Sequence, residues 1–143
     1  MDPIEQSIEY SKSGCNCAQS VCGPFAEKLG MDRETALKIS SGFGGGIGGT
    51  AGVCGAVNGA CMALGLKYGV AQPTPEEKAR MYKYVQEFME KFKAQHEALD
   101  CRDLLGYDIS IPGEREKAKE EGLFTTRCRT YIESAGKILE EML

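Results

Sequence analysis

The 143-residue chain contains no tryptophan and a single histidine, His96. It has no excess of basic residues, with 17 lysines and arginines against 21 acids and a net charge of −4. With a pI near 5.1 and no basic stripe, nucleic acid and anionic membrane surfaces are not expected as partners. No Cys-x-x-Cys occurs, so a thioredoxin-type site lacks its motif. No Cys-x-x-Cys-His occurs either, so covalent haem attachment lacks its own. One histidine leaves no Ser–His–Asp or Cys–His set to assemble. The acidic pairs Glu76/Glu77, Glu120/Glu121 and Glu140/Glu141 read as solvated faces and helix ends. The N-terminus shows no basic start followed by an apolar run, so no secretory signal is expected and the cytoplasm is the default location.

A membrane span is not expected either. Between Lys38 and Lys67 lie 28 uncharged residues, Ile39 to Leu66, more than the roughly 20 that a bilayer requires. Ten of them are glycine, with Asn58, serines and a threonine among the rest. A hydrocarbon-spanning helix would be built of Leu, Ile and Phe, so this stretch reads as a buried helix behind a glycine-rich loop.

What the chain does have is glycine and cysteine, 18 and 7 residues, in an otherwise average globular composition that fits one domain over residues 1–143. Helix punctuation is frequent. Asp2-Pro3 starts a first helix carrying Ile4 and Ile8. Asn16 caps a second (Ala18, Val21, Phe25, Leu29), stopped by Gly30 and expected to kink or split at Pro24. Asp32 caps a third. After the loop Gly42–Gly49 comes a small-residue helix from about Val53 to Leu66. Its Gly55 and Gly59, one turn apart, invite close approach by another backbone, which makes it the expected centre of the bundle. Thr74-Pro75 starts a long helix with an apolar stripe (Met81, Tyr84, Val85, Phe88, Phe92) and a solvated His96. Asp100 starts a short helix, Ser110–Gly113 reads as a turn, and Glu114 to Glu121 as a charged helix. Thr125 or Thr126 opens the last helix, which carries Tyr131, Ile132, Ala135, Ile138, Leu139 and Met142. No window alternates as a strand does. The expected fold is all-α, a compact bundle of six to eight helices.

Four of the cysteines fall at predicted helix starts: Cys17, Cys54, Cys101 and Cys128. Helix N-termini present unpaired N–H groups and partial positive charge, which stabilise a thiolate and strengthen its nucleophilicity and metal ligation. Spacings of 37, 47 and 27 residues are unlike the close pairs of structural zinc knuckles. They suggest a site assembled by the tertiary fold, where N–H groups directed at sulfur would tune an iron–sulfur cluster. Cys22 and Cys61 fall mid-helix and read as packing; Cys15, two residues before Cys17, either substitutes for it or joins it. The formal G-x-G-x-x-G at Gly44, Gly46 and Gly49 follows no strand and leads to no Lys-Ser/Thr, so no nucleotide is expected. Its expected purpose is to let the backbone pass close to the cysteine site.

The run Gly14-Cys15-Asn16-Cys17-Ala18-Gln19-Ser20-Val21, the glycine loop, Cys54-Gly55-Ala56-Val57-Asn58-Gly59, and the isolated Cys101 and Cys128 resemble the C_GCAxxG_C_C family of redox-active proteins over nearly the whole chain. The family's four separated cysteines correspond to Cys17, Cys54, Cys101 and Cys128. The resemblance implies a bacterial or archaeal redox role, often beside transporter genes. It extends in pattern to the non-haem part of split-Soret cytochromes, with its four-cysteine iron–sulfur centre; the haem is not carried over. Cys15, Cys22 and Cys61 depart from the four-cysteine pattern.

Three functions therefore stand side by side at the level of sequence. The first is electron transfer or redox sensing through an iron–sulfur cluster on Cys17, Cys54, Cys101 and Cys128. The second is thiol–disulfide exchange, with one low-pKa cysteine attacking and another resolving. The third is a structural zinc module on the same four cysteines that binds a partner. A redox partner protein and a transporter association are the expected interactions, and the glycine-faced helix would suit a homodimer.

Overall fold

The computed structural model describes residues 1–143 as eight α-helices, with 69% of the chain helical and no strands. In chain order these are α1 (Pro3–Lys12), α2 (Cys17–Lys28), α3 (Arg33–Ser40), α4 (Gly55–Tyr68), α5 (Pro75–His96), α6 (Cys101–Leu105), α7 (Pro112–Glu120) and α8 (Arg127–Met142). A single 3-10 turn, Ser41–Phe43, leads from α3 into the glycine loop. No helix is long and apolar enough to cross a membrane.

Local chemistry accounts for most helix starts. The Asp2 carboxylate accepts the Glu5 N–H at 3.0 Å, with Pro3 in the first turn. Asn16 and Gln19 form a reciprocal capping box at the head of α2 (2.9 and 3.1 Å), and Thr74 and Glu77 repeat it at the head of α5. Asn16 also donates its side-chain N–H to the Ser41 carbonyl at 2.9 Å, tying the start of α2 to the glycine loop. Two expectations change. Pro24 does not split α2: Gly23, Pro24 and Phe25 are all buried, and their packing holds the helix through the missing N–H. Ile111-Pro112-Gly113 is not a free turn, because Pro112 and Gly113 already form the first turn of α7, where proline loses no bond.

The centre of the bundle is the crossing of α2 and α4. A Cβ placed on Gly59 would lie 2.5 Å from the Ala18 carbonyl oxygen, and one on Gly55 would lie 3.0 Å from the Ala18 nitrogen. The two backbones thus meet at Gly55 and Gly59, as their spacing predicts. Around this crossing packs one apolar core that includes Val21, Phe25, Val57, Leu64, Phe88, Phe92, Ile132 and Leu139. Helix α5 lies on the outside and buries only Phe88 and Phe92 fully.

Two connections position the remaining helix starts. Val53 and Asp100 form an isolated antiparallel bridge, with Cys54 N–H donating to Leu99 (2.8 Å) and Cys101 N–H to Gly52 (2.6 Å). The heads of α4 and α6 are thereby clamped together. The Tyr131 hydroxyl donates to the Leu104 carbonyl at 2.8 Å, and the Arg127 guanidinium reaches the Leu104 and Leu105 carbonyls, which fasten α8 to the end of α6.

Candidate four-cysteine site

Cys17 is the first residue of α2 and Cys101 the first of α6; Cys128 is the second of α8, and Cys54 is itself the N-cap of α4. All four line one cavity of about 560 Å³. Cys15 shares its wall, whereas Cys22 and Cys61 lie outside it in α2 and α4. Cys17, rather than Cys15, faces the other thiols: it lies against Cys128 and its charge acts on both Cys54 and Cys101. All seven cysteines are free thiols. No three His, Cys, Asp or Glu side chains stand close enough to hold a single metal ion.

The electrostatics reverse the expectation drawn from helix starts. The sulfur of Cys54 faces the Ala56 and Val57 N–H groups, which do favour its thiolate. Burial outweighs them, and together with the nearby Cys17 charge it pushes Cys54 up to about 12. Cys101 is pushed up to about 12 by burial and by the charges of Cys54, Cys17, Asp100 and Asp108. Cys17 is raised well above an ordinary thiol by its hydrogen bond to Cys128, by burial and by the Cys128 charge. Burial raises Cys15 as well. As free groups Cys17, Cys54 and Cys101 hold their protons, because taking charge into this cavity costs more than the helix N-termini return.

The glycine loop lines the same cavity. Gly45, Gly46, Gly48 and Gly49 take positive φ (+60° to +74°), and Ile47 between them does too at +68°. A Cβ on Gly46 would lie 2.5 Å from the Gly52 nitrogen, so the loop folds back on itself more tightly than any side chain permits. It passes beside the cysteines as its composition suggests. Two groups that the sequence did not mark, Arg115 and Arg129, also line the cavity, as does Tyr131, expected only as part of the apolar stripe of the last helix. Arg129 directly follows Cys128, an adjacency visible in the sequence; nothing local marks Arg115. His96, expected in solvent, is half-buried, with its ring 4.9 Å from Tyr131 and its Nε2 2.9 Å from the Ser134 hydroxyl.

The family described as "Putative redox-active protein (C_GCAxxG_C_C)" matches residues 15–142, and the chain belongs to that family. Comparison with curated proteins found no match, and comparison with solved structures found none.

Proposed function

We propose that this redox-active protein transfers electrons, or senses redox state, through an iron–sulfur cluster held by Cys17, Cys54, Cys101 and Cys128. The observation that carries this reading is the convergence of four helix starts, far apart in sequence, on one cavity lined by their four thiols. The donor set fits: four cysteines are the usual ligands of such clusters. When bound, the cluster supplies one-electron chemistry. The chain's own contribution is to bury the thiols and aim the Ala56 and Val57 N–H groups at Cys54. The Val53–Asp100 bridge holds Cys54 and Cys101 in register. Seven free thiols and no motif for a disulfide framework support a reducing, cytoplasmic location with a redox partner protein.

Purification without oxygen, followed by a visible spectrum and assays of iron and acid-labile sulfide, tests the proposal. Iron and sulfide in stoichiometric amounts are expected, lost in Cys54→Ser and Cys128→Ser and kept in Cys61→Ala. A colourless, iron-free protein after anaerobic reconstitution would overturn it.

The contact of Cys17 with Cys128 favours a second reading, a reversible dithiol/disulfide couple. Two thiols would become one disulfide, releasing two protons and two electrons to an oxidised partner. Thiol counts that fall by two on oxidation, with the new bond mapped to Cys17 and Cys128, would support it; unchanged counts would remove it.

A further inference from the structure

The charged side chains that line the cavity are of one sign, although Asp100 and Asp108 act on Cys101 from outside the lining. Acids outnumber bases in the chain, yet no Asp or Glu lines the cavity, and Arg115 and Arg129 do. Neither arginine makes an ion pair, although six salt bridges form elsewhere on the surface. Arg129 is half-buried and its only hydrogen bond is a long one, from Nε to the Ser11 hydroxyl at 3.4 Å. Along the glycine wall, the N–H groups of Ile47, Gly48, Gly49, Thr50, Ala51 and Gly52 all find backbone carbonyls. Those of Gly44, Gly45 and Gly46 donate to nothing in the protein, and Gly46 is buried. All three residues line the cavity. Buried backbone donors are almost always paired, so the unpaired N–H of buried Gly46 calls for an acceptor from outside the chain, and the part-exposed Gly44 and Gly45 N–H groups are free to join it. Successive N–H groups in a turn can make an anion-binding concavity, here with Gly44 extended and Gly45 and Gly46 at positive φ, and arginine is the side chain best matched to an oxyanion or carboxylate.

We propose that this cavity is a binding site for a small anion, an oxyanion or a carboxylate, held by the Gly44–Gly46 N–H groups with Arg129 and Arg115, which line the same cavity, supplying the positive charge. The site would bring an anionic redox substrate beside the cysteines. That purpose rests on the redox reading given above; the binding itself does not, because none of its groups is a cysteine.

The test uses the full chain, isolated anaerobically, in two states: as purified with its iron and sulfide counted, and as the metal-free thiol form. Calorimetric titration with inorganic phosphate and with acetate, at constant ionic strength in chloride, reads affinity and separates oxyanion from carboxylate preference. Saturable binding is expected in both states, weakened about ten- to a hundredfold in Arg129→Gln and in Arg115→Gln, the cost of losing a charge-assisted hydrogen bond. Arg80→Gln, outside the cavity, serves as the control and should bind as the unaltered protein does. Both cavity arginines carry surface exposure, so their variants are expected to fold, which far-UV circular dichroism checks. Binding no tighter than chloride in both states, or unchanged in both cavity variants, would overturn the inference. Binding to the thiol form that disappears on iron loading would also overturn it, since the N–H groups would then serve the cluster's sulfurs. An iron-free protein that still binds phosphate leaves the anion site standing and removes only the cluster.

Discussion

Gly59→Ala is the most direct test of how this fold is held together. In an exposed helix interior the change would stabilise by about 1 kcal/mol, because alanine has the better helix propensity. Here the added Cβ meets the Ala18 carbonyl oxygen at 2.5 Å, the Cys22 nitrogen at 3.1 Å and the Ala18 carbonyl carbon at 3.2 Å. Ordinary contact begins at 3.4 Å, so the new methyl sits nearly 1 Å inside it. The obstacle is backbone, which cannot rotate away as a side chain would, so α2 and α4 must separate. Overpacking of this kind costs about 1–3 kcal/mol and at times more, and a clash with main-chain atoms belongs at the upper end. Set against the propensity gain, the expected net loss is about 2 kcal/mol. The internal control is Gly65→Ala on the same helix, where nothing lies within 4 Å of the new Cβ. That variant should gain about 0.5–1 kcal/mol. Urea unfolding followed by far-UV circular dichroism reads both as shifts in midpoint at constant slope. If Gly59→Ala matched or exceeded the unaltered protein in stability, the α2–α4 crossing would not be the close contact described here.

Other expectations concern caps, protonation and thiol reactivity. Asn16→Ala removes both the capping box of α2 and the bond to the Ser41 carbonyl, and should cost about 1–2 kcal/mol in the same unfolding assay. Burial lowers the pKa of His96 below 6.5, so the unfolded chain binds the extra proton first. Its contribution is present above pH 6.5 and is lost as pH falls through the lower folded value. Unfolding midpoints measured from pH 7.5 to 5.5 should therefore fall less in His96→Gln than in the unaltered protein, and equal falls would refute this. In the metal-free protein, Cys54 and Cys101 at about 12 are ionised in roughly one molecule in ten thousand at pH 8, against about a quarter of an ordinary thiol near 8.5. Their alkylation by iodoacetamide, followed by mass spectrometry, should be about a thousandfold slower and rise about tenfold per pH unit up to pH 10. Fast labelling of either thiol at pH 7 would show that the helix N-termini outweigh burial after all.

Most of the secondary structure could be read from local signals. Asp2-Pro3, Asn16 with Gln19, Asp32 and Thr74 with Glu77 act through side chains only three residues from the N–H groups they satisfy. Their effect survives whatever packs around them. The placement of Cys17 at a helix start was legible for the same reason; the starts at Cys54, Cys101 and Cys128 carry no side-chain cap bond and were marked only by the residue types around them. The approach of another backbone at Gly55 and Gly59 was legible too, since two glycines one turn apart leave a groove that only a close neighbour fills. Ser110–Gly113 was misread because Pro112 is equally at home in a turn and in the first turn of a helix.

The sequence by itself thus determined an all-α chain, its helix starts and four separated cysteines at those starts. Only the tertiary structure decided that the four meet at one cavity, and that Cys17 faces the other thiols while Cys15 stands beside them. It also decided that burial holds Cys17, Cys54 and Cys101 as thiols, and that Arg115 and Arg129 share their cavity without a carboxylate. The reason is range. A cap depends on atoms within one turn of chain, whereas desolvation and cavity charge are sums over groups as distant in sequence as Cys17 and Cys128.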